Sequence, residues 1–248
     1  MKKSYIFTLS LLIIGSFALS ACRLPFVSVV RGSGDLTTEE RVVSGFDTIQ
    51  LDGAGRLVIT QGENESLEIT AEDNIIGELT SEVRGNTLEL GFEEQPWQKT
   101  VVPTRSITYT LSVIDLMEIE FNGAGDLEME SLETPSLDLT INGAGQISIN
   151  GLDADSLDVQ ITGAGTIHLE GQVSAQKITI DGAGSYEALD LQSKSAEIDI
   201  NGLGSGSMWA VETLEITING GGSLSYYGMP SVTQDINGVG DINSLGEK

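Results

Sequence analysis

The sequence predicts an all-β chain: one parallel β-solenoid, right-handed and β-helix-like, with about 20 residues per coil and Gly-x-Gly corners. Three observations carry this. A phrase of apolar residue, Asn/Asp/Thr and glycine recurs at Leu51-Asp52-Gly53, Phe121-Asn122-Gly123, Ile141-Asn142-Gly143, Ile161-Thr162-Gly163, Ile180-Asp181-Gly182, Ile200-Asn201-Gly202, Ile218-Asn219-Gly220 and Ile236-Asn237-Gly238. A second glycine follows each time two residues on, at Gly55, Gly125, Gly145, Gly165, Gly184, Gly204, Gly222 and Gly240. From Gly123 onward the first glycines are 20, 20, 19, 20, 18 and 18 residues apart.

The third observation is period-2 alternation inside that period. Two residues before the first glycine stand Leu51, Phe121, Ile141, Ile161, Ile180, Ile200, Ile218 and Ile236; four before stand Ile49, Ile119, Leu139, Val159, Ile178, Ile198, Ile216 and Gln234. Four after stand Leu57, Leu127, Ile147, Ile167, Tyr186, Gly206, Leu224 and Ile242. β-Branched residues in alternate positions suit strands whose inner faces stack coil on coil. The expectation is two short strands per coil, about four to seven residues each, meeting at the glycine corner. Glycine suits such a corner because it takes positive φ and allows close backbone approach. With equivalent residues about 4.8 Å apart, Asn201, Asn219 and Asn237 are placed to form an amide ladder.

Taken in order, the N-terminus reads as a processing signal. Lys2 and Lys3 precede an apolar stretch from Ile6 to Leu19, too short for an ordinary membrane span. Residues 1–21 are therefore set apart as a signal peptide. Leu19-Ser20-Ala21-Cys22 resembles the bacterial lipobox, and the resemblance implies cleavage before Cys22 and lipidation of its sulfur. Cys22 is the single cysteine, so no intramolecular disulfide can form. Residues 22–44, with Arg31-Gly32-Ser33-Gly34-Asp35, read as a lipidated tether; pairing of Leu24–Val30 as a first strand stays open. Residues 45–248 then form the solenoid. In 45–116 the coils are irregular and carry insertions, with a tight turn at Gly85-Asn86 and a loop over 93–104; in 117–248 they are regular.

These residues support a family resemblance. The repeated Asn-Gly-x-Gly corners resemble the putative auto-transporter adhesin, head GIN domain family. So do Gly32-Ser33-Gly34 followed by Arg41-Val42-Val43-Ser44-Gly45-Phe46, and the Val58-Ile59-Thr60-Gln61-Gly62 strand. The resemblance spans about residues 32–246. It implies an exported, often lipid-anchored bacterial β-solenoid and supplies no catalytic residues.

Charge narrows the partners. The chain carries 12 Lys+Arg against 37 Asp+Glu, and its formal charge of −25 falls to −27 once Lys2 and Lys3 leave with the signal. Such a surface repels nucleic acid and anionic headgroups. The acidity also keeps an exported repetitive protein soluble. Five residues before the glycine runs an outward column with Asp138, Asp158, Glu197 and Glu215, interrupted by Lys177. Like charges at strand spacing repel, so this column is a possible cation ladder as well as a solvated stripe. No metal site is assigned from it: calcium-binding nonapeptide repeats place Asp where this chain has Leu127, Ile147 and Ile167.

Catalytic signatures are weak. The single histidine, His168, aligns between Ser148 and Glu187, but no Gly-x-Ser-x-Gly elbow is present. The sequence thus predicts a surface-anchored, non-catalytic adhesin-like or envelope-structural lipoprotein without a cofactor. Its partners would be a membrane, through the N-terminal lipid, and a surface glycan or envelope protein. The alternative is a carbohydrate-binding or carbohydrate-processing β-helix, with Trp209, Tyr226 and Tyr227 available to stack a sugar. Arg23, in place of Asp after the cysteine, places the protein at the outer membrane if the cell has two membranes, and otherwise on the outer face of the cytoplasmic membrane.

Overall fold

The computed structural model describes residues 28–93 and 99–248. The expected signal peptide and the lipobox residues Leu19, Ser20, Ala21 and Cys22 lie outside the described residues. The first strands are β1 (Ser28–Arg31), β2 (Leu36–Arg41), β3 (Thr48–Gln61), β4 (Ser66–Glu72), β5 (Leu79–Arg84), β6 (Thr87–Phe92), β7 (Lys99–Val102) and β8 (Thr108–Val113). The regular part holds β9 (Glu118–Met129), β10 (Leu132–Gly163), β11 (Thr166–Gly182), β12 (Ser185–Gly202), β13 (Ser205–Gly220), β14 (Ser223–Tyr227), β15 (Ser231–Gly238) and β16 (Asp241–Ser244). One 3-10 turn, Ile76–Glu78, precedes β5.

The strands stack in parallel in the order β16-β14-β13-β12-β11-β10-β9-β3, and β15 pairs with β13. The chain is a β-solenoid. Its register keeps the sequence columns together: Ile161 faces Ile180, Ile200 faces Ile218, and Gly163 faces Gly182. Ile141, Ile161, Ile180, Ile200 and Ile218 are completely buried. Each contributes about 1.5–3 kcal/mol by leaving water, which no single coil could obtain alone.

The expected break between strands occurs at Gly163, Gly182, Gly202, Gly220 and Gly238, whereas β3, β9 and β10 run on through the corners at Gly53, Gly123 and Gly143. β10 runs for 32 residues straight through the Gly143-Ala144-Gly145 corner. The hydrogen-bond ladder bends there without stopping: Ala164 N–H donates to the Gly143 carbonyl at 2.9 Å and Ala183 N–H to that of Gly163 at 2.9 Å. Gly163 has φ 125°, and a Cβ there would lie 2.3 Å from the Gly143 oxygen. The second glycine of the pair has a different reason: a Cβ on Gly165 would meet Ile141 side-chain atoms at 2.9 Å. So the first glycine admits the neighbouring backbone and the second admits the neighbouring core side chain.

A second difference is the number of sides. In β10 the buried positions run Leu137, Leu139, Ile141, Ile147 and Ile149, then change phase to Leu152 and Ala154, and change back at Leu157. Each phase change turns the chain, so a coil has three sides instead of two. One further turn holds Gly171, at φ 129°, where a Cβ would sit 2.1 Å from the Leu152 oxygen.

Within residues 66–116, β6 and β8 pair in parallel with β3 and carry the stack one irregular coil further, and β4 and β5 cap it. β4 pairs antiparallel with both β2 and β8, and β5 with β6 through the Gly85-Asn86 turn. Antiparallel strands end a parallel stack because they cannot pass on its register. The described part of the tether expected over residues 22–44 is paired instead: β1 pairs with β7, inside the expected 93–104 loop, and β2 pairs with β4. The opposite end is open. Every residue of β15 is exposed.

Candidate functional site

Four arrangements on the solenoid carry side-chain chemistry. The first is the corner column itself. Asn122 donates to Asp52 at 3.0 Å and Asn142 to Asn122 at 3.0 Å; Asn201 donates to Asp181 at 2.9 Å, Asn219 to Asn201 at 2.9 Å and Asn237 to Asn219 at 3.2 Å. The amide ladder therefore extends beyond the three asparagines expected, with Thr162 separating its two runs. It is a structural device: Asn122, Asn201 and Asn219 each both donate and accept along the stack.

The second is the acidic column. The register places Glu118 beside Asp138, Asp158 beside Lys177, and Glu197 between Lys177 and Glu215. Lys177 Nζ meets Glu197 Oε1 at 2.8 Å, and that contact raises the ammonium's pKa. At the other end burial and the neighbouring Asp158 push the Asp138 carboxyl up, while burial, Asp138, Glu120 and Asp47 push Glu118 up. The carboxylates lie one per coil, and among the described residues no three His, Cys, Asp or Glu side chains converge as metal ligands. The arrangement is a repelling stripe with one internal cation.

The third is the line Ser148–His168–Glu187, which the register does bring together. The imidazole, however, turns to carboxylates: Nε2 lies 3.2 Å from Glu170 and Nδ1 3.9 Å from Glu187. The Ser148 hydroxyl pairs with Asn150 at 3.5 Å. A relay needs the imidazole on the nucleophile, and here it is elsewhere.

The fourth is a groove of about 910 Å³ running along the outer side of β3, β9 and β10 and walled at one end by Pro103–Ile107. Arg56, Asp126 and Gln146 share one row of its floor. The Arg56 guanidinium reaches across to Glu128 at 2.6 Å, and the Arg56 backbone N–H donates to the Ile107 carbonyl at 2.9 Å. Arg105 at the wall is exposed and makes no ion pair among the described residues. Guanidinium, carboxylate and amide groups on a shallow floor of mixed polar and apolar surface can meet both the hydroxyls and the C–H faces of a sugar-like ligand. The sequence singled out none of these groove residues, because they alternate outward at unremarkable positions and Pro103–Ile107 comes from outside the repeat.

The aromatic group named from sequence sits elsewhere. Trp209 and Tyr227 are covered by the C-terminal tail, with Lys248 Nζ 4.8 Å and 5.7 Å from their ring centroids and ion-paired to Asp190. Beneath them lies a buried polar chain that sequence reading missed: Tyr186 hydroxyl donates to Gln176 at 2.6 Å, Gln176 to Ser193 at 2.8 Å, and Ser193 to the Trp209 carbonyl at 2.9 Å. Burial pushes the Tyr186 phenol up, out of the physiological range. The available signal was Gln176 itself, standing where other coils have Leu137, Leu157 and Leu214. No helix among the described residues is long and apolar enough to cross a membrane.

Comparison with known proteins fits this architecture. A crystal structure of a protein from Bacteroides fragilis, described as a "putative adhesin", superposes with a TM-score of 0.82 at 29% identity, covering 87% of this chain and 100% of that one. A Parabacteroides distasonis protein described as a "putative lipid binding protein" gives 0.73 at 23% identity, covering 88% and 100%. A Parabacteroides merdae "putative adhesin" gives 0.67 at 22%, covering 88% and 99%; these last two show the fold alone. No curated protein matches. The family model described as "Putative auto-transporter adhesin, head GIN domain" matches residues 45–230. The chain belongs to the putative auto-transporter adhesin, head GIN domain family.

Proposed function

We propose that this chain is a non-catalytic, adhesin-like module of a bacterial envelope, held to a membrane by a lipid on Cys22. The carrying observation is the family match over residues 45–230, joined to a solenoid whose outer sides repeat polar side chains in register from coil to coil. Such surfaces bind by many weak, aligned contacts. The lipobox resemblance at Leu19–Cys22 supports the anchor: two or more acyl chains hold a protein stably, at about 0.8 kcal/mol per buried methylene. Fractionation tests that part. Cys22→Ser should leave the membrane fraction or stall in processing, and an unchanged membrane-bound mature form would refute it.

A second reading is favoured by the Arg56–Glu128 groove, whose mixed polar and apolar floor suits a saccharide. Glycan-array binding run beside reducing-sugar release separates the two. Binding without turnover supports the adhesin-like module, whereas turnover abolished by one carboxylate substitution would overturn the non-catalytic reading.

A further inference from the structure

We infer that the open C-terminal end of the solenoid is a homotypic docking surface, taking the last coil of a second copy of this chain. The first observation is unfinished pairing. Val239 N–H donates to the Gly220 carbonyl at 2.7 Å and Asp241 N–H to that of Gly222 at 3.1 Å, as in every earlier coil. Among the described residues no coil lies over the carbonyls of Gly238 and Gly240, β15 pairs only with β13, and β16 ends the sheet. The asparagine ladder likewise ends on Asn237, which donates to Asn219 and receives no amide from a further coil.

The second observation is apolar. Val232 and Ile236 occupy the columns in which Leu214 and Ile218 are buried, yet each is 37% exposed. Met229 and Val239 beside them are 81% and 87% exposed. The third is charge. The outward column that holds Asp138, Asp158, Glu197 and Glu215 ends in Thr233, and β15 carries a single carboxylate, Asp235, and no lysine or proline. Natural edge strands are normally blunted by such residues. In a chain of formal charge −25, the surface that loses its charge at an unpaired edge is the one that tolerates another copy of itself.

The occupant follows from the ends. The other end finishes in the antiparallel edge strands β2 and β5, which Glu39, Glu40, Arg41, Glu82 and Arg84 blunt with charge against a further strand. A head-to-tail stack is therefore blocked. What remains is a closed two-fold pair in which the edge strand runs antiparallel to its copy, continuing the coil-on-coil interface across the axis. β2 and β16 lie at opposite ends of the sheet, so the two N-terminal ends point away from each other. On the adhesin-like reading, on which this part rests, two anchored copies would join facing membranes.

Sedimentation equilibrium of the full chain in density-matched detergent tests the interface. Wild type should approach twice the chain mass with concentration, and Val232→Lys and Ile236→Lys should each weaken association at least about tenfold with an unchanged melting midpoint. Should either variant misfold, wild-type amide exchange decides: residues 231–238 should gain protection as concentration rises. A wild type that stays one chain at about 100 μM, lacks that gain, or instead accepts a foreign extended peptide at this edge would overturn the homotypic site. Cell aggregation separates the two proposals. A monomeric chain whose cells still adhere to a glycan surface sinks the homotypic site alone. A dimeric chain whose cells neither clump nor adhere sinks the adhesin-like reading alone.

Discussion

The carboxylate of Glu72 accepts the backbone N–H of Gly34 at 2.7 Å, tying together residues 38 apart in sequence. The same carboxylate takes N–H groups of Thr104 at 2.8 Å and Arg105 at 3.3 Å, and the Thr104 hydroxyl. It is 2% exposed, and a Cβ on Gly32 would lie 1.9 Å from it. A glycine-rich segment that reads as a free tether is thus wrapped around a buried acceptor.

Burial alone would raise the Glu72 pKa, but the hydrogen bonds from Thr104, Gly34 and Arg105 outweigh it and hold the group below its ordinary 4.5. A carboxyl depressed in the folded state adds stability above its unfolded pKa, and that stability is lost as pH falls through the folded value. Glu72→Gln should speed amide exchange at Gly34 and Thr104 by at least about tenfold at neutral pH. Acid below pH 4.5 should produce the same loosening in wild type. Unchanged exchange at both amides would show that the segment is held by β1 and β2 pairing alone.

Asp138 has the opposite sign. Its folded pKa is raised from 3.8 by burial and Asp158, so the charged form opposes folding above that range and the opposition fades as pH falls. Asp138→Asn should stabilise at pH 7 by up to about 1 kcal/mol, with no gain in acid. Glu197→Gln, which removes the Lys177 partner at 2.8 Å, should instead cost about 0.2–1 kcal/mol. Denaturant midpoints at both pH values test the pair; the same sign for both variants would contradict the register.

Gly163→Val should cost about 2–4 kcal/mol, combining positive-φ strain with the 2.3 Å approach to the Gly143 oxygen. Ser148→Ala on the outer side should stay within about 0.5 kcal/mol. Equal small shifts of the unfolding midpoint would mean that Gly163 is unconstrained.

Tyr186→Phe should cost about 1–3 kcal/mol, because the buried Gln176 carbonyl oxygen loses its donor at 2.6 Å. A companion Gln176→Leu should recover part of that loss in the double variant, as paired removal leaves less unsatisfied. Thermal melts of the single and double variants measure the coupling, and strict additivity would show that the pair is not coupled.

How much of this was legible depends on whether a feature repeats. The corner glycines, the Ile161–Ile180–Ile200 column and the asparagine ladder were readable because one physical demand recurs in every coil. The third side was not. Its turns fall at Gly171 in one coil and at Leu191 opposite it in the next, so no residue type marks them. The cap was hidden for another reason. β2 with β4, and Gly34 with Glu72, are pairings between residues 26 to 38 apart, and each occurs once. Flexible composition in Gly32-Ser33-Gly34 says what that segment can adopt; only the buried Glu72 says what it does adopt. The groove near Arg105 fails for the same reason, since its wall is an insertion between coils.

The unbroken stack of corners also sets how the molecule yields to load. Each coil adds about 4.8 Å of folded height but holds about 20 residues, or roughly 65–70 Å of extended chain. Traction applied at the C-terminal strand would act on one coil's ladder at a time, with the glycine carbonyls releasing in sequence rather than in parallel. Drawn from that end, the solenoid should pay out in a sawtooth of nearly equal steps, each restoring the same open edge one coil further down. It would then behave as a spool of constant tension, ending at the antiparallel cap that Glu72 fastens.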